Sequence, residues 1–78
     1  MAFKELIKAI ATELVDRPED VVVTEIATDN NSLIELRVAK SDIGKVIGKD
    51  GRTAQSMRTI LAALSAKVGR RAHLDIVD

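Results

Sequence analysis

The sequence predicts an α+β fold in which three helices pack on one face of a three-stranded mixed sheet, in the order α-β-β-α-α-β, as one domain over residues 1–78. Three observations predict it. Apolar residues recur at helical spacing at the start of the chain and again from about residue 52. Two β-branched runs stand between these segments, divided by turn-forming residues, and a short apolar run follows Gly69. Amphipathic helices and half-apolar strands of these lengths bury their apolar sides against each other in two layers.

Each element follows from its residues. Phe3, Leu6, Ile7, Ile10, Leu14 and Val15 form a helical stripe that reads as core, and the helix ends before Arg17-Pro18 because proline disfavours helical geometry in the residue before it. Val21 to Thr28 and Ser32 to Ala39 read as an antiparallel hairpin turning at Asp29-Asn30-Asn31. In its second strand Ile34, Leu36 and Val38 alternate with Leu33, Glu35 and Arg37, so one face is buried and the other at least partly wet. A short second helix starts at Ser41-Asp42, either of which can cap it, and Gly48 interrupts it after one or two turns. The third helix runs from about Arg52 to Val68 with Ala54, Met57, Ile60, Leu61, Leu64 and Val68 along one face. Gly69 stops it, Arg70 and Arg71 connect, and Ala72 to Val77 supply a last strand with Leu74 and Ile76 inward.

Composition limits what such a domain can do. At 78 residues it holds one two-layer core and no second lobe to close over a substrate. It has no cysteine, which excludes disulfide scaffolds, thiolate metal sites and cysteine nucleophiles. The N-terminal stretch MAFKELIKAIATEL mixes charge with apolar residues, unlike a signal peptide, and no apolar run approaches a membrane span. A soluble, cytoplasmic protein is expected. The net charge of zero hides an asymmetry: residues 1–36 carry three cations against eight acids, and residues 37–78 carry nine against four. A polyanion-binding C-terminal half and an ordinary mixed surface both fit that distribution.

The informative stretch is GKVIGKDGRTAQSMR, Gly44 to Arg58, with three glycines and four cations. Glycine weakens a helix by about 1 kcal/mol relative to alanine, so clustered glycines imply backbone that must go where a side chain would obstruct it. The second half of GKDG falls just before the long helix, where amide groups lack intrahelical partners and the helix dipole is positive, a position suited to an anion. Gly48 and Gly51 would let a phosphate reach the backbone, with Lys49, Arg52 and Lys45 supplying charge around it. Asp50 opposes this and is expected to face solvent or cap the following helix. A nucleotide P-loop is rejected, because only three residues separate Gly44 from Gly48 and Asp50 stands where its hydroxyl residue belongs. A dinucleotide fingerprint is rejected because the glycines follow a helix.

VIGKDG between two helices, within the order α-β-β-α-α-β, resembles the Gly-X-X-Gly loop of type II KH domains, and the likeness covers nearly the whole chain. More narrowly, the stretch IGKDGRTAQSMRTIL resembles small stand-alone bacterial KH-domain RNA-binding proteins. That resemblance implies that Gly48-Lys49-Asp50-Gly51 holds the sugar-phosphate backbone of single-stranded RNA. It further implies a groove to which Ile43, Gly44, Val46 and Ile47 contribute from the preceding helix, and Arg52, Thr53 and Ser56 from the following one. It suggests an RNA chaperone or post-transcriptional regulator, and self-association or pairing with a larger KH-containing RNA-binding protein, with no cofactor, metal, membrane or small-molecule substrate.

The residues add a constraint and leave alternatives. Phe3 is the only aromatic residue and lies on the core stripe, so bases cannot stack on an aromatic platform and must meet aliphatic surface and hydrogen-bonding groups. Gly44 serves either close helix packing or ligand approach, and Lys45 and Arg58 are either contacts or solvated charges. Arg70 and Arg71 read as a basic helix end complementing the dipole. His73, the only histidine, falls in the last strand away from the loop with no evident acid-base partner, so catalysis is not expected. The competing class is a protein-interaction or dimerisation module that uses the same fold and binds little RNA.

Overall fold

The computed structural model describes residues 3–77; Met1, Ala2 and Asp78, which the sequence reading includes in the domain, lie outside them. Helix α1 spans Phe3–Leu14, strands β1 and β2 span Val22–Ala27 and Asn31–Arg37, helices α2 and α3 span Ile43–Ile47 and Arg52–Val68, and strand β3 spans Arg71–Val77. The sheet order is β1-β2-β3, with β1 antiparallel and β3 parallel to β2. A parallel neighbour cannot be reached by a tight turn, so the chain crosses over the sheet between β2 and β3, and α2 and α3 are that crossover. The result is a three-helix layer on a mixed sheet, the arrangement that the resemblance implies.

Register explains which residues are core. Val23, Leu36 and Ile76 form one cross-strand row, and Glu25, Ile34 and Leu74 another, on the helix-facing side. Ile34 and Leu36 are wholly buried there together with Ile7 of α1, Val46 of α2 and Leu61 of α3. Fully burying a side chain of this kind contributes about 1.5–3 kcal/mol, and these residues share the core with nearly buried Phe3, Met57, Val23 and Leu74. Ser32 lies among them at no exposure and donates to the Glu25 carboxylate at 3.0 Å, which satisfies its hydroxyl.

The helical stripes are narrower than their apolar spacing suggests. In α1 the buried set is Phe3, Ile7 and Ala11, while Leu14 is exposed. In α3 it is Ala54, Met57, Leu61 and Ser65, whereas Ile60 and Val68 are 43% and 54% exposed. Both helices rest on the sheet along a single row of positions three or four apart, and residues a third of a turn away reach solvent even when apolar. Ser65 tolerates burial because its hydroxyl donates to the carbonyl of Ala62.

Two polar devices set the ends of the domain. Neither Ser41 nor Asp42 caps α2 through its side chain; the chain enters through a 3-10 turn at Lys40–Asp42. Asp42 is instead buried, its carboxylate accepting the backbone N–H groups of Asp16 and Arg17 at 3.2 and 3.0 Å just beyond α1. At the opposite end, α3 stops at Gly69 (φ 73°), and the Arg70 guanidinium donates to the carbonyls of Thr28, Asp29 and Asn31 and to the Ser32 hydroxyl, at 2.9 to 3.1 Å. Arg70 therefore pins the β1–β2 turn and does not serve as a dipole counter-charge. The Arg71 backbone joins the same turn, donating its N–H to the Asn30 carbonyl at 2.8 Å.

Candidate functional site

The glycine loop is a tight turn at Lys49–Gly51 with left-handed, non-helical backbone at Asp50 (φ 58°, ψ 24°), joining α2 to α3. Three of its four residues take positive φ: Gly48 at 80°, Asp50 at 58° and Gly51 at 74°. Gly48 combines that φ with ψ 172°, a region essentially closed to residues with a side chain. A Cβ at this position would also collide with the Thr53 hydroxyl and lie 2.8 Å from the Thr53 backbone nitrogen. The requirement for glycine at 48 is thus double, conformational and steric. Gly51, at φ 74° and ψ 12°, is left-handed helical with open space where its Cβ would stand, so only its backbone conformation favours glycine.

Internal hydrogen bonds hold this shape. Gly48 N–H donates to the Gly44 carbonyl at 2.9 Å, Gly51 N–H to the Gly48 carbonyl at 3.1 Å, and Arg52 N–H to the Lys49 carbonyl. Two amides that a plain helix N-terminus would offer to an anion, those of Gly51 and Arg52, are therefore engaged inside the loop. That refines the sequence expectation: the attraction for an anion here depends more on side-chain charge and close approach than on a bare row of amides. Asp50 is exposed and, like Gly51 before α3, supplies no side-chain cap.

The predicted residues fall into three groups. On α2, Gly44 and Ile47 are exposed and Ile43 half-buried; spacings of three and four put them on one face, an aliphatic strip beside the loop. At the start of α3, Arg52 and Ser56 are exposed one turn apart, and half-buried Thr53 backs Gly48. Lys49 and Arg52 are exposed, and no ion pair among the described residues involves them. Together these residues form a charged loop flanked by a small apolar strip.

The structure bears on the Val46 expectation and on the open readings of Lys45 and Arg58. Val46 is wholly buried in the core and cannot floor a groove. Lys45 is turned toward acids, its ammonium 3.4 Å from the Asp16 carboxylate and 3.9 Å from that of Asp42, so its charge is partly compensated. Arg58 stands six residues from Arg52, roughly 120° around α3, and faces away from it. Gly44 is decided in the other direction: a Cβ there would meet nothing within 4 Å, so close helix packing does not account for this glycine. The sequence reading missed Asp16, whose nearness to Lys45 depends on how α1 and α2 meet. His73 is exposed on β3, on the sheet side away from the helices. Among the described residues no three acidic or histidine side chains are grouped as a metal site, and no helix is long and apolar enough to cross a membrane.

Comparison with known proteins gives a consistent picture. The sequence profile described as "KhpA/KhpB, KH domain" matches residues 4–76. The chain is similar to the RNA-binding protein KhpA of Aquifex aeolicus, with 47% identity covering 99% of this chain and 98% of that protein. It is also similar to the RNA-binding proteins KhpA of Halalkalibacterium halodurans (48% identity, 96% of this chain and 99% of that protein) and of Borreliella burgdorferi (45%, 95% and 90%).

Proposed function

Because this chain belongs to the KhpA/KhpB KH-domain family, we propose that it is a single KH domain that binds single-stranded RNA. In this reading the Gly48-Lys49-Asp50-Gly51 loop holds the sugar-phosphate backbone. Lys49 and Arg52 supply the positive charge, Gly51, whose missing Cβ leaves open space, lets the strand approach the main chain, and Ile43, Gly44 and Ile47 form the surface on which bases lie. Thr53 backs the loop and Lys45 joins once a phosphate competes with Asp16 for its ammonium. The observation that carries the reading is the backbone of Gly48: a conformation closed to other residues, beside two exposed cations without ion-pair partners among the described residues.

With no aromatic residue at this surface, base contacts rest on aliphatic surface and hydrogen bonds, so binding by one copy is weak, modestly selective and salt-sensitive. A weak single site gains avidity when copies are joined. The reading therefore includes a homodimer, or pairing with a larger KH-containing RNA-binding protein, and a cytoplasmic role as RNA chaperone or post-transcriptional regulator. Exposed Ile60 and Val68 on α3 are apolar surface that such pairing would cover.

The test is a titration with short labelled single-stranded RNA of mixed sequence at several salt concentrations. Neutralising about three phosphates gives a log-log salt slope near −2, at roughly 0.7 per phosphate on a single strand. A Gly48→Asp/Gly51→Asp variant, checked for folding by circular dichroism, should not bind. Lys49→Ala, which alters only an exposed side chain, should bind more weakly. A slope near zero, or equal binding by wild type and folded variants, would move the function to protein partners.

A further inference from the structure

The proposed RNA loop hangs from a helix that cannot hold itself in place. α2 has five residues and buries only Val46, and helices so short do not persist on their own in water. The residue immediately before it, Asp42, is 1% exposed and carries a carboxylate, a group that is costly to bury. That carboxylate does not cap α2. Both its oxygens are used elsewhere: one accepts from the Asp16 N–H and the other from the Arg17 N–H, 26 and 25 residues back in the chain. Lys45, one turn into α2, reaches back to the same bend through Asp16.

We infer that Asp42 is the positioning residue of the glycine loop. Two hydrogen bonds to adjacent amides fix direction as well as distance, which apolar contact at Val46 alone does not, so the bend after α1 becomes the fixed point from which α2 is aimed. Through α2 this sets where Ile43, Gly44 and Ile47 stand relative to Gly48 and the start of α3. The consequence for RNA rests on the binding reading given above; the mechanical coupling does not. Asp42 touches no nucleotide in this account and acts only through the placement of α2.

Amide hydrogen exchange on the wild-type protein, followed by NMR, tests the coupling first. The amides of Asp16, Arg17 and Gly48 should open as one unit, at an equilibrium distinct from that of the β2 amides of Ile34 and Leu36. In Asp42→Asn and Asp42→Ala, exchange at Gly48 should accelerate while Ile34 and Leu36 keep their rates. RNA affinity should fall about tenfold if the binding-competent fraction falls to about a tenth. Arg70→Ala, which loosens the far end of the domain, should leave both Gly48 exchange and RNA affinity unchanged. Wild-type Gly48 opening independently of Asp16 and Arg17, or folded Asp42 variants with unchanged exchange at Gly48, would overturn the inference. If neither variant folds, the wild-type exchange pattern alone decides it. Wild-type protein that fails to bind RNA would overturn the RNA reading instead, leaving the exchange data to judge Asp42.

Discussion

Replacing Gly48 with alanine should damage the protein more than the same change at Gly51, although the two glycines bracket one loop and have nearly the same φ. At Gly51 the new methyl group meets open space, and the backbone, at φ 74° and ψ 12°, is an ordinary left-handed conformation. The cost there is the left-handed penalty alone, about 1 kcal/mol. At Gly48 the ψ of 172° puts the residue in a region that costs on the order of 2–3 kcal/mol for anything but glycine. The methyl group would also stand 2.7 Å from the Thr53 Cβ and 2.8 Å from its backbone nitrogen, so no rotation of the Thr53 side chain relieves the overlap. Because 1 kcal/mol corresponds to a shift of roughly 4–8 °C for a domain of this size, Gly51→Ala should lower Tm by that amount and Gly48→Ala by about 10–20 °C. Thermal unfolding followed by circular dichroism reads both. Adding Thr53→Ala should not restore Gly48→Ala, since the backbone clash remains. Equal Tm values for the two single variants, or rescue by Thr53→Ala, would refute the loop geometry described here.

Three further outcomes follow from the charges. Lys49→Ala should leave Tm within about 0.5 kcal/mol of wild type, as for other surface changes, and should lower the magnitude of the RNA salt slope by about 0.7 if that ammonium neutralises one phosphate. Asp16→Asn removes the nearer of the two carboxylates beside Lys45 and leaves only Asp42, at 3.9 Å. An exposed pair is worth about 0.2–1 kcal/mol, so RNA binding should tighten by roughly 1.4- to fivefold at low ionic strength and converge with wild type at high salt. Arg70→Ala should destabilise the domain by about 1–2 kcal/mol by releasing the carbonyls of the β1–β2 turn, seen as a lower urea midpoint with unchanged m-value, while RNA affinity stays the same.

What the sequence made legible was whatever depends on neighbours along the chain. The hairpin, the ends of α1 and α3, the alternation of β2 and the glycine turn follow from proline, glycine and apolar period, each a local property. Contacts between distant segments were not legible. Asp42 read, with Ser41, as one of two possible helix caps because that is what such residues do before a helix, yet its partners lie at Asp16 and Arg17. Arg70 read as a charge at a helix end, and its acceptors lie in a turn about forty residues earlier. Lys45 read as available charge because nothing near it in sequence announces Asp16. Ile60 and Val68 show a different failure: an apolar side chain at a nearly correct angle does not reveal that its helix meets the sheet along one row only. Within the candidate site, the glycines and exposed cations were found by pattern, while the aim of α2 needed the tertiary structure.

The parallel pairing of β3 with β2 has a consequence for the birth of this protein. β2 is translated forty residues before the strand it pairs with, as the pairing of Asn31 with Arg71 shows, so the hairpin exists in the growing chain before its third strand does. Until β3 docks beside β2, α3 has only part of the sheet on which it rests. Contacts so far apart in sequence form late. A chain truncated before Arg71 therefore lacks the third strand of the sheet on which α3 rests, and should not reach the folded state described here.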